Sequence, residues 1–357
     1  MPADAAKTLR SLIGTALPII QAPMAGVQNH KLAVAISNAG GLGSLPCAML
    51  SDEALEAELN TLTCQTNKPY NLNFFCHTSP QPDPASEAAW RQLLRPYYDE
   101  LGLDANAITA GPARKAFSSD TADLIEKFAP PIISFHFGLP EPPLLDRLKS
   151  WGSIILASAT TADEGRWLAT HGADIIIAQG LEAGGHRGMF LSDNIASQLP
   201  LRELLTAIQD SVDLPVIAAG GIGCAADISE IMALGAAGVL IGTAFLLCPE
   251  ADTSAVHRGA LQNECSVATT LTNVFSGRPA RGIINRLIKE IGPINALAPA
   301  FPFASAAIGP LRSKAEKLAS GDFSPLWAGS NNHHCRNIPA AQVLAELAAG
   351  LPESFKT

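Results

Sequence analysis

The feature that most constrains the fold of this chain is a series of eight short apolar segments, each followed by glycine, proline or small polar residues. Several are almost continuously apolar instead of alternating, which is typical of strands buried on both faces of a parallel sheet. The segments are Pro18–Met24, Gly41–Pro46, Tyr70–Phe75, Ile132–Gly138, Ile154–Thr160, Ala173–Gly180, Pro215–Gly221 and Gly238–Phe245.

Segments with a helical spacing of apolar residues lie between these strands. Ala225–Leu234, for example, places Ile228, Ile231 and Met232 on one face. Eight strands that alternate with helices favour a closed α/β barrel, the TIM (β/α)8 fold. An open Rossmann sheet is the weaker alternative, because the first glycine-rich turn, 39–43, lacks the G-x-G-x-x-G pattern.

Two parts of the chain do not fit the repeat. Residues 77–131 are too long for one connection and include a proline-rich loop and a helix around Trp90–Tyr98. Residues 251–312 follow the eighth strand and are rich in proline, glycine and asparagine. We predict that 1–250 and 313–357 form the barrel, and that 251–312 form a small helical lid subdomain inserted after strand 8.

Composition excludes several classes of protein. Hydrophobic residues make up 47% of the chain and charged residues 16%, so a large core is expected. The net charge of −9 and the lack of a basic stripe argue against nucleic acid as a partner. The first ten residues do not resemble a signal peptide, and no apolar stretch is long enough to span a membrane. We therefore expect a cytoplasmic protein, with a homodimer as a possible assembly.

The glycines at the ends of the last two strands predict a phosphate site. Gly220 and Gly221 follow strand 7, and Leu240, Ile241, Gly242 and Thr243 end strand 8. Loops after strands 7 and 8 commonly bind phosphate in this architecture, because glycine lets backbone amides approach the anion. The alternative is that these glycines only form tight turns, but their occurrence at consecutive strand ends favours phosphate binding.

Other strand ends carry residues that suit a flavin ring. Asn73 and Gln179 provide side-chain amides for the carbonyl and nitrogen edge of the ring, and Gly184 and Gly185 follow strand 6. The backbone of Pro23, Met24 and Ala25 after strand 1 is expected beside the reactive N5 position. Together with the phosphate site, these residues suit a flavin that carries a phosphate group.

Two histidines are the candidate catalytic residues. His186 follows two glycines after strand 6, a position that suits proton abstraction or an anion contact near pH 7. His136 ends strand 4 and is equally compatible with a substrate contact and with a structural role. We assign the other six histidines to the surface or to packing. The seven cysteines form no C-x-x-C pair, and neither H-E-x-x-H nor G-x-S-x-G occurs, so no metal site and no serine hydrolase is predicted.

Taken together, these motifs resemble the bacterial class I pattern of the nitronate monooxygenase family, formerly called 2-nitropropane dioxygenases. The resemblance covers nearly the whole chain. The matching segments are 21–27 (QAPMAGV), 73–77 (NFFCH), 134–140 (SFHFGLP), 178–188 (AQGLEAGGHRG), 218–222 (AAGGI), 240–246 (LIGTAFL) and 326–329 (LWAG). Residues 182–188 alone are less specific, because flavin-dependent enoyl-acyl-carrier-protein reductases and some NADH:quinone reductases resemble this chain there. Segment 134–140 is the one that points to nitronate monooxygenases.

The resemblance implies oxidation of alkyl nitronates such as propionate 3-nitronate by O₂, with non-covalent FMN and release of nitrite and a carbonyl compound. It implies that His186 is the base for neutral nitroalkanes and that His136 is the second active-site histidine. An NAD(P)H-dependent reductase of quinones or enoyl thioesters is the alternative on the same scaffold. Segment 300–306 lacks the tyrosines and the lysine that class I relatives often have after the lid, so we expect a more apolar substrate.

Overall fold

The computed structural model describes residues 2–78, 80–108, 114–262 and 267–355. Among the seven cysteines, Cys265 lies outside these residues, as does Ser79 at the start of the proline-rich loop. The six described cysteines are free thiols. No helix within the described ranges is both long and apolar enough to cross a membrane.

Eight parallel strands form the barrel, and each falls within one of the eight predicted segments. The strands are β1 (Ile19–Gln21), β2 (Gly43–Pro46), β3 (Tyr70–Phe75), β4 (Ile132–His136), β5 (Ile154–Ala159), β6 (Ile175–Gln179), β8 (Val216–Ala219) and β9 (Gly238–Ile241). Their order in the sheet is β1, β9, β8, β6, β5, β4, β3, β2. A parallel bridge between Ile20 and Leu42 joins the two outer strands and closes the barrel.

Eight helices belong to the barrel layer or close its ends. They are α1 (Pro2–Ile13), α2 (His30–Asn38), α3 (Asp52–Gln65), α6 (Pro142–Ser150), α7 (Ala162–Thr170), α8 (Leu201–Gln209), α9 (Ala225–Ala233) and α13 (Ala340–Ala348). The predicted face of α9 is confirmed, since Ile228, Ile231 and Met232 are all buried. Helix α2 packs so closely on β2 that a Cβ on Gly43 would lie 1.9 Å from the carbonyl oxygen of Ala33.

The barrel interior is filled with branched apolar side chains, which leaves only the carboxyl ends of the strands open to a ligand. Ile20, Ile132, Ile175 and Ile217 are almost completely buried inside. Leu9 of α1 joins the same cluster at the amino ends of the strands. This packing is the reason that the functional site lies at the carboxyl ends.

The insertion after β9 contains strands as well as helices. Strands β10 (Thr269–Thr272) and β11 (Ala280–Ile283) form an antiparallel sheet with β7 (Gly185–His186), which belongs to the loop after β6. The helices of this part are α10 (Ala255–Leu261), α11 (Arg286–Ile291) and α12 (Ala304–Lys317). Helix α12 runs across the predicted boundary at 312, so the exact division into barrel and lid stays a prediction.

The long segment between β3 and β4 packs against this insertion. It contains α4 (Pro84–Glu100) and α5 (Ser119–Glu126). The indole Nε1 of Trp90 donates to the carbonyl of Ala304 at 3.2 Å, and the hydroxyl of Tyr98 donates to that of Ala307 at 2.6 Å. The two irregular parts of the sequence therefore form one structure over the open end of the barrel.

Candidate active site

A cavity at the carboxyl ends of the strands brings together every site residue predicted from the sequence. Its volume is about 210 Å³. Because one water molecule needs about 10–15 Å³, the cavity accommodates a ligand with many heavy atoms. The predicted residues in its wall are Pro23, Met24, Ala25, Asn73, His136, Gln179, Gly184, Gly185, His186, Gly220, Gly221, Leu240, Ile241, Gly242 and Thr243.

The turn after β8 requires glycine at two consecutive positions. Gly220 and Gly221 have φ angles of +119° and +68°. A Cβ on Gly220 would lie 2.8 Å from the amide nitrogen of Ala183, so a larger residue would push the neighbouring loop away. This backbone conformation turns the strand end toward the cavity.

The end of β9 provides hydrogen-bond donors beside that turn. The amide hydrogens of Gly221 and Gly242 donate to no backbone carbonyl among the described residues. The Oγ1 of Thr243 accepts a hydrogen bond from the amide of Gly329 at 2.9 Å, which leaves its own proton for a ligand. Two amides and one hydroxyl are thus available to an anionic group.

Gly184 lets the loop after β6 pack directly against the backbone of residues 328–329, which follow α12. A Cβ on Gly184 would lie 2.6 Å from both the carbonyl carbon of Ala328 and the amide nitrogen of Gly329. Both atoms belong to the backbone, so they cannot move aside as a flexible side chain could. Any side chain here would displace the wall of the cavity.

The two amide side chains of the predicted ring site already have protein partners. The Nδ2 of Asn73 donates to the hydroxyl of Ser134 at 2.9 Å. Gln179 donates from Nε2 to the carbonyl of His186 at 2.9 Å and accepts from the amide of Gly188 at 2.7 Å. Gln179 therefore positions the loop that carries His186, and its contact with a flavin ring stays a prediction.

His186 lines the cavity, and one of its two ring nitrogens is hydrogen-bonded to the protein. Its Nε2 lies 2.8 Å from the Oγ of Ser276, whereas its Nδ1 has no hydrogen-bond partner in the described part of the chain. Burial, followed by the charge of Arg114, holds the pKa of His186 well below its usual value of 6.5. The imidazole is consequently neutral at pH 7.

The surroundings of Ser276 favour one tautomer of that imidazole. The Ser276 side chain is buried, and its hydroxyl donates to the carbonyl of Arg278 at 3.3 Å. Its oxygen is then free to accept a hydrogen from Nε2 of His186. When the Ser276 hydroxyl donates to Arg278, the imidazole proton lies on Nε2 and Nδ1 is the unprotonated nitrogen.

His136 supports the same loop from the end of β4. Its Nε2 lies 3.1 Å from the carbonyl oxygen of His186, which also accepts from Gln179. Burial lowers the pKa of His136 to about 4, so this imidazole is also neutral at pH 7. In this geometry, His136 contacts the backbone that carries His186, and its catalytic role stays a prediction.

An aromatic wall surrounds the two histidines. Phe137 has a φ of +70°, a left-handed conformation that costs a bulky residue about 1–3 kcal/mol. Its ring centroid lies 5.0 Å from that of Phe75 and 5.8 Å from that of Phe301. The guanidinium of Arg278 lies 4.0 Å from the same ring, and these contacts hold the strained conformation.

Arg114 contributes a cation to a cavity wall that, among the described residues, contains no carboxylate. Its guanidinium lies 5.1 Å from the ring centroid of Phe301, and its Nη1 is buried without a hydrogen-bond partner. A buried charge without a counter-charge is costly, so this residue favours an anionic ligand. The ring of His186 contacts the same phenyl ring at 5.5 Å.

Sequence reasoning missed several residues of this site. Ser276, Arg114 and Asn331 come from segments without a recognisable motif, and their separation in the chain hides their proximity. Trp327 lies in the matching segment 326–329, but nothing in its residue type marks it as a site residue. His257, which we assigned to the surface or packing, is buried in the cavity wall with its Nε2 unpartnered. Burial lowers its pKa to about 4. No local signal distinguishes it from a histidine of the core.

The closed barrel, with glycine turns and two buried imidazoles around one cavity at the carboxyl ends of its strands, defines a (β/α)8-barrel protein with a ligand site in the usual position. The nitronate monooxygenase family model matches residues 6–350. This chain belongs to the nitronate monooxygenase family, whose members are flavoproteins.

Individual relatives agree with this assignment. A nitronate monooxygenase from Pseudomonas aeruginosa is 38% identical over 95% of this chain and 97% of its own length. One from Paraburkholderia phytofirmans is 38% identical over 98% and 96%, respectively. A nitroalkane oxidase structure from Streptomyces ansochromogenes superimposes with a TM-score of 0.87 at 34% identity, covering 98% of this chain and 99% of that one. FabK from Thermotoga maritima shares the fold, with a TM-score of 0.71, 22% identity and coverage of 98% and 97%.

Proposed function

We propose that this protein oxidises alkyl nitronates with FMN and O₂, and that propionate 3-nitronate is among its substrates. The observation that carries the proposal is the Nδ1 of His186, which has no hydrogen-bond partner among the described residues of a cavity that also contains Arg114. The described residues of the cavity wall include no carboxylate, and the glycine-rich strand ends offer hydrogen-bond donors to an anion. The expected products are nitrite and an aldehyde or oxo acid.

The residues of the cavity fit FMN. A phosphate would accept hydrogen bonds from the amides of Gly221 and Gly242 and from the hydroxyl of Thr243. The neighbouring Gly220 lies so close to the backbone of Ala183 that there is no room for a side chain at this position. The ring would lie toward Asn73 and the Pro23–Ala25 backbone. When bound, FMN supplies the electron acceptor for the reaction.

The protein's own groups handle the substrate and its proton. The Nδ1 of His186 removes the proton next to the nitro group of a neutral nitroalkane, while Ser276 holds the proton on Nε2. A preformed nitronate has already lost that proton and needs only to be bound and oriented. Phe75 lines the cavity and packs against Phe137 and Phe301, so this side of the cavity is apolar and would exclude water from the reacting carbon.

Arg114 is the group that we propose for binding the substrate's negative charge. The apolar segment 300–306 predicts a more apolar substrate, but Arg114 reaches the cavity from a different loop. Two nitronates of equal length test this role, because propionate 3-nitronate carries a carboxylate that propyl 1-nitronate lacks.

For Arg114→Met we expect kcat/KM for propionate 3-nitronate to fall about 10- to 150-fold, as for a lost charge-assisted hydrogen bond. The neighbouring exposed Lys115, whose charge faces Asp52, gives the matched control Lys115→Met, which should behave as the wild type. Equal losses of Arg114→Met on both nitronates would place the guanidinium at the nitronate group and not at the carboxylate.

The function itself is tested with purified protein in the absence of oxygen. The protein should release FMN on denaturation, and a nitronate should bleach the flavin absorbance, whereas NADH and NADPH should not. On admission of O₂, nitrite should appear in proportion to the nitronate consumed. Rapid bleaching by NADPH with no response to nitronates would replace the proposal with the reductase alternative.

A further inference from the structure

A second cluster of chemically reactive side chains lies outside the cavity. Cys224, Asp227 and His334 each offer one ligand atom, and these atoms lie within 4.8 Å of one another. None of the three residues lines the cavity. No spacing motif in the sequence announces the cluster, because His334 comes from a loop far along the chain from the other two.

Two of these side chains are held on one face at the start of α9. Cys224 is the N-cap residue and Asp227 follows three positions later, so both project toward the same side of the first turn. The Oδ2 of Asp227 accepts from the amides of Gly223 at 2.8 Å and Cys224 at 3.0 Å. Its Oδ1 makes no hydrogen bond among the described residues, so one carboxylate oxygen is fixed by the helix cap and the other is available.

The third side chain reaches this face because Gly223 has no side chain. A Cβ on Gly223 would lie 3.0 Å from the Cδ2 of His334, within the space that the imidazole occupies. Neither ring nitrogen of His334 makes a hydrogen bond in the described part of the chain, and all three residues are partly exposed. A small ion can therefore reach the ligand atoms from solvent.

We propose that Cys224, Asp227 and His334 bind one Zn²⁺ ion, with water as the fourth ligand. Sulfur, imidazole nitrogen and carboxylate oxygen are the donors that zinc prefers. In a zinc tetrahedron with bonds of about 2.0–2.3 Å, ligand atoms lie about 3.3–3.8 Å apart. The side chains therefore need to close by no more than about 1.5 Å.

The site adjoins the cofactor cradle through one residue. The Nδ2 of Asn331 donates both to the carbonyl of Gly221 at 3.0 Å and to the Oδ2 of Asp227 at 2.9 Å. For this reason the protein is tested with its cofactor bound, which keeps the cradle in one state. Zinc binding is independent of nitronate oxidation, so it stands or falls separately from the proposed function.

The test is equilibrium dialysis of the flavin-loaded protein against Zn²⁺, followed by elemental analysis of the metal content. The wild type should hold one zinc per chain. Cys224→Ser and His334→Gln should each weaken zinc binding at least tenfold, because loss of even a hydrogen-bonding partner of a metal ligand costs about 10- to 100-fold in metal affinity. X-ray absorption of the loaded protein should show a single sulfur ligand.

Two matched variants control for general effects of removing a thiol or an imidazole. Cys64 is an exposed free cysteine on α3, and His333 is the exposed neighbour whose ring centroid lies 4.0 Å from that of His334. Cys64→Ser and His333→Gln should retain the zinc. Substoichiometric zinc in the wild type, or equal loss in the control and ligand variants, would overturn the proposal.

Discussion

Replacement of His186 by asparagine separates proton abstraction from oxidation. Asparagine places an amide near the position of Nδ1 and keeps a polar side chain, but it has no basic nitrogen. His186→Asn should therefore impair the use of neutral nitroalkanes much more than the use of preformed nitronates. The difference between the two substrate forms is the quantity of interest.

The expected magnitude follows from the environment of the imidazole. Because burial lowers the pKa of His186 well below 6.5, the whole population carries a free base at pH 7. A positioned general base contributes about 10²–10⁴ in rate, so kcat/KM for nitroethane should fall by that factor. Ethyl nitronate loses only a neutral hydrogen bond of about 0.5–1.5 kcal/mol, which corresponds to a fall of about 2- to 13-fold.

The assay measures oxygen consumption and nitrite release with nitroethane and with ethyl nitronate prepared in alkali. Flavin absorbance normalises the active concentration of each variant. His171→Asn is the control, because His171 is an exposed imidazole at the end of α7. Equal losses of His186→Asn on both substrates would refute the base assignment and leave His186 as a binding residue.

Three further outcomes follow from the same geometry. Ser276→Ala removes the 2.8 Å contact with the imidazole of His186, so kcat/KM for nitroethane should fall about 2- to 13-fold. In a His186→Asn background the same change should cause no further loss, and additive losses would contradict the coupling between Ser276 and His186. Gly184→Ala should yield protein with much less bound flavin, measured by absorbance after gel filtration, whereas Gly309→Ala, whose Cβ meets nothing within 4 Å, should retain it. The acid limb of the pH profile of kcat/KM for nitroethane should lie well below pH 6.5, because the lowered pKa of His186 keeps this base neutral. A tenfold fall in kcat/KM between pH 7.5 and 5.5 is about what an unperturbed imidazole would give, and it would contradict the argument that burial lowers the pKa.

The barrel could be predicted from the sequence because its signals are local. Strands buried on both faces are almost continuously apolar, as in residues 175–178 of β6, and each such run can be recognised without knowledge of its neighbours. The turn at Gly220 and Gly221 is equally local, since positive φ angles and close backbone contacts require glycine wherever they occur. Strands β10 and β11 were missed because they are short and mix threonine, arginine and glycine with few apolar residues.

The sequence by itself therefore determined which residues face the cavity from the strand ends, including His186 and His136. Only the tertiary structure decided their chemical state, because tautomer, burial and charge depend on residues distant in the chain. Ser276 reaches His186 from the insertion, and Arg114 enters the wall from the segment between β3 and β4. Neither contact produces a periodic pattern in the sequence, because both result from how these two irregular segments fold over the open end of the barrel.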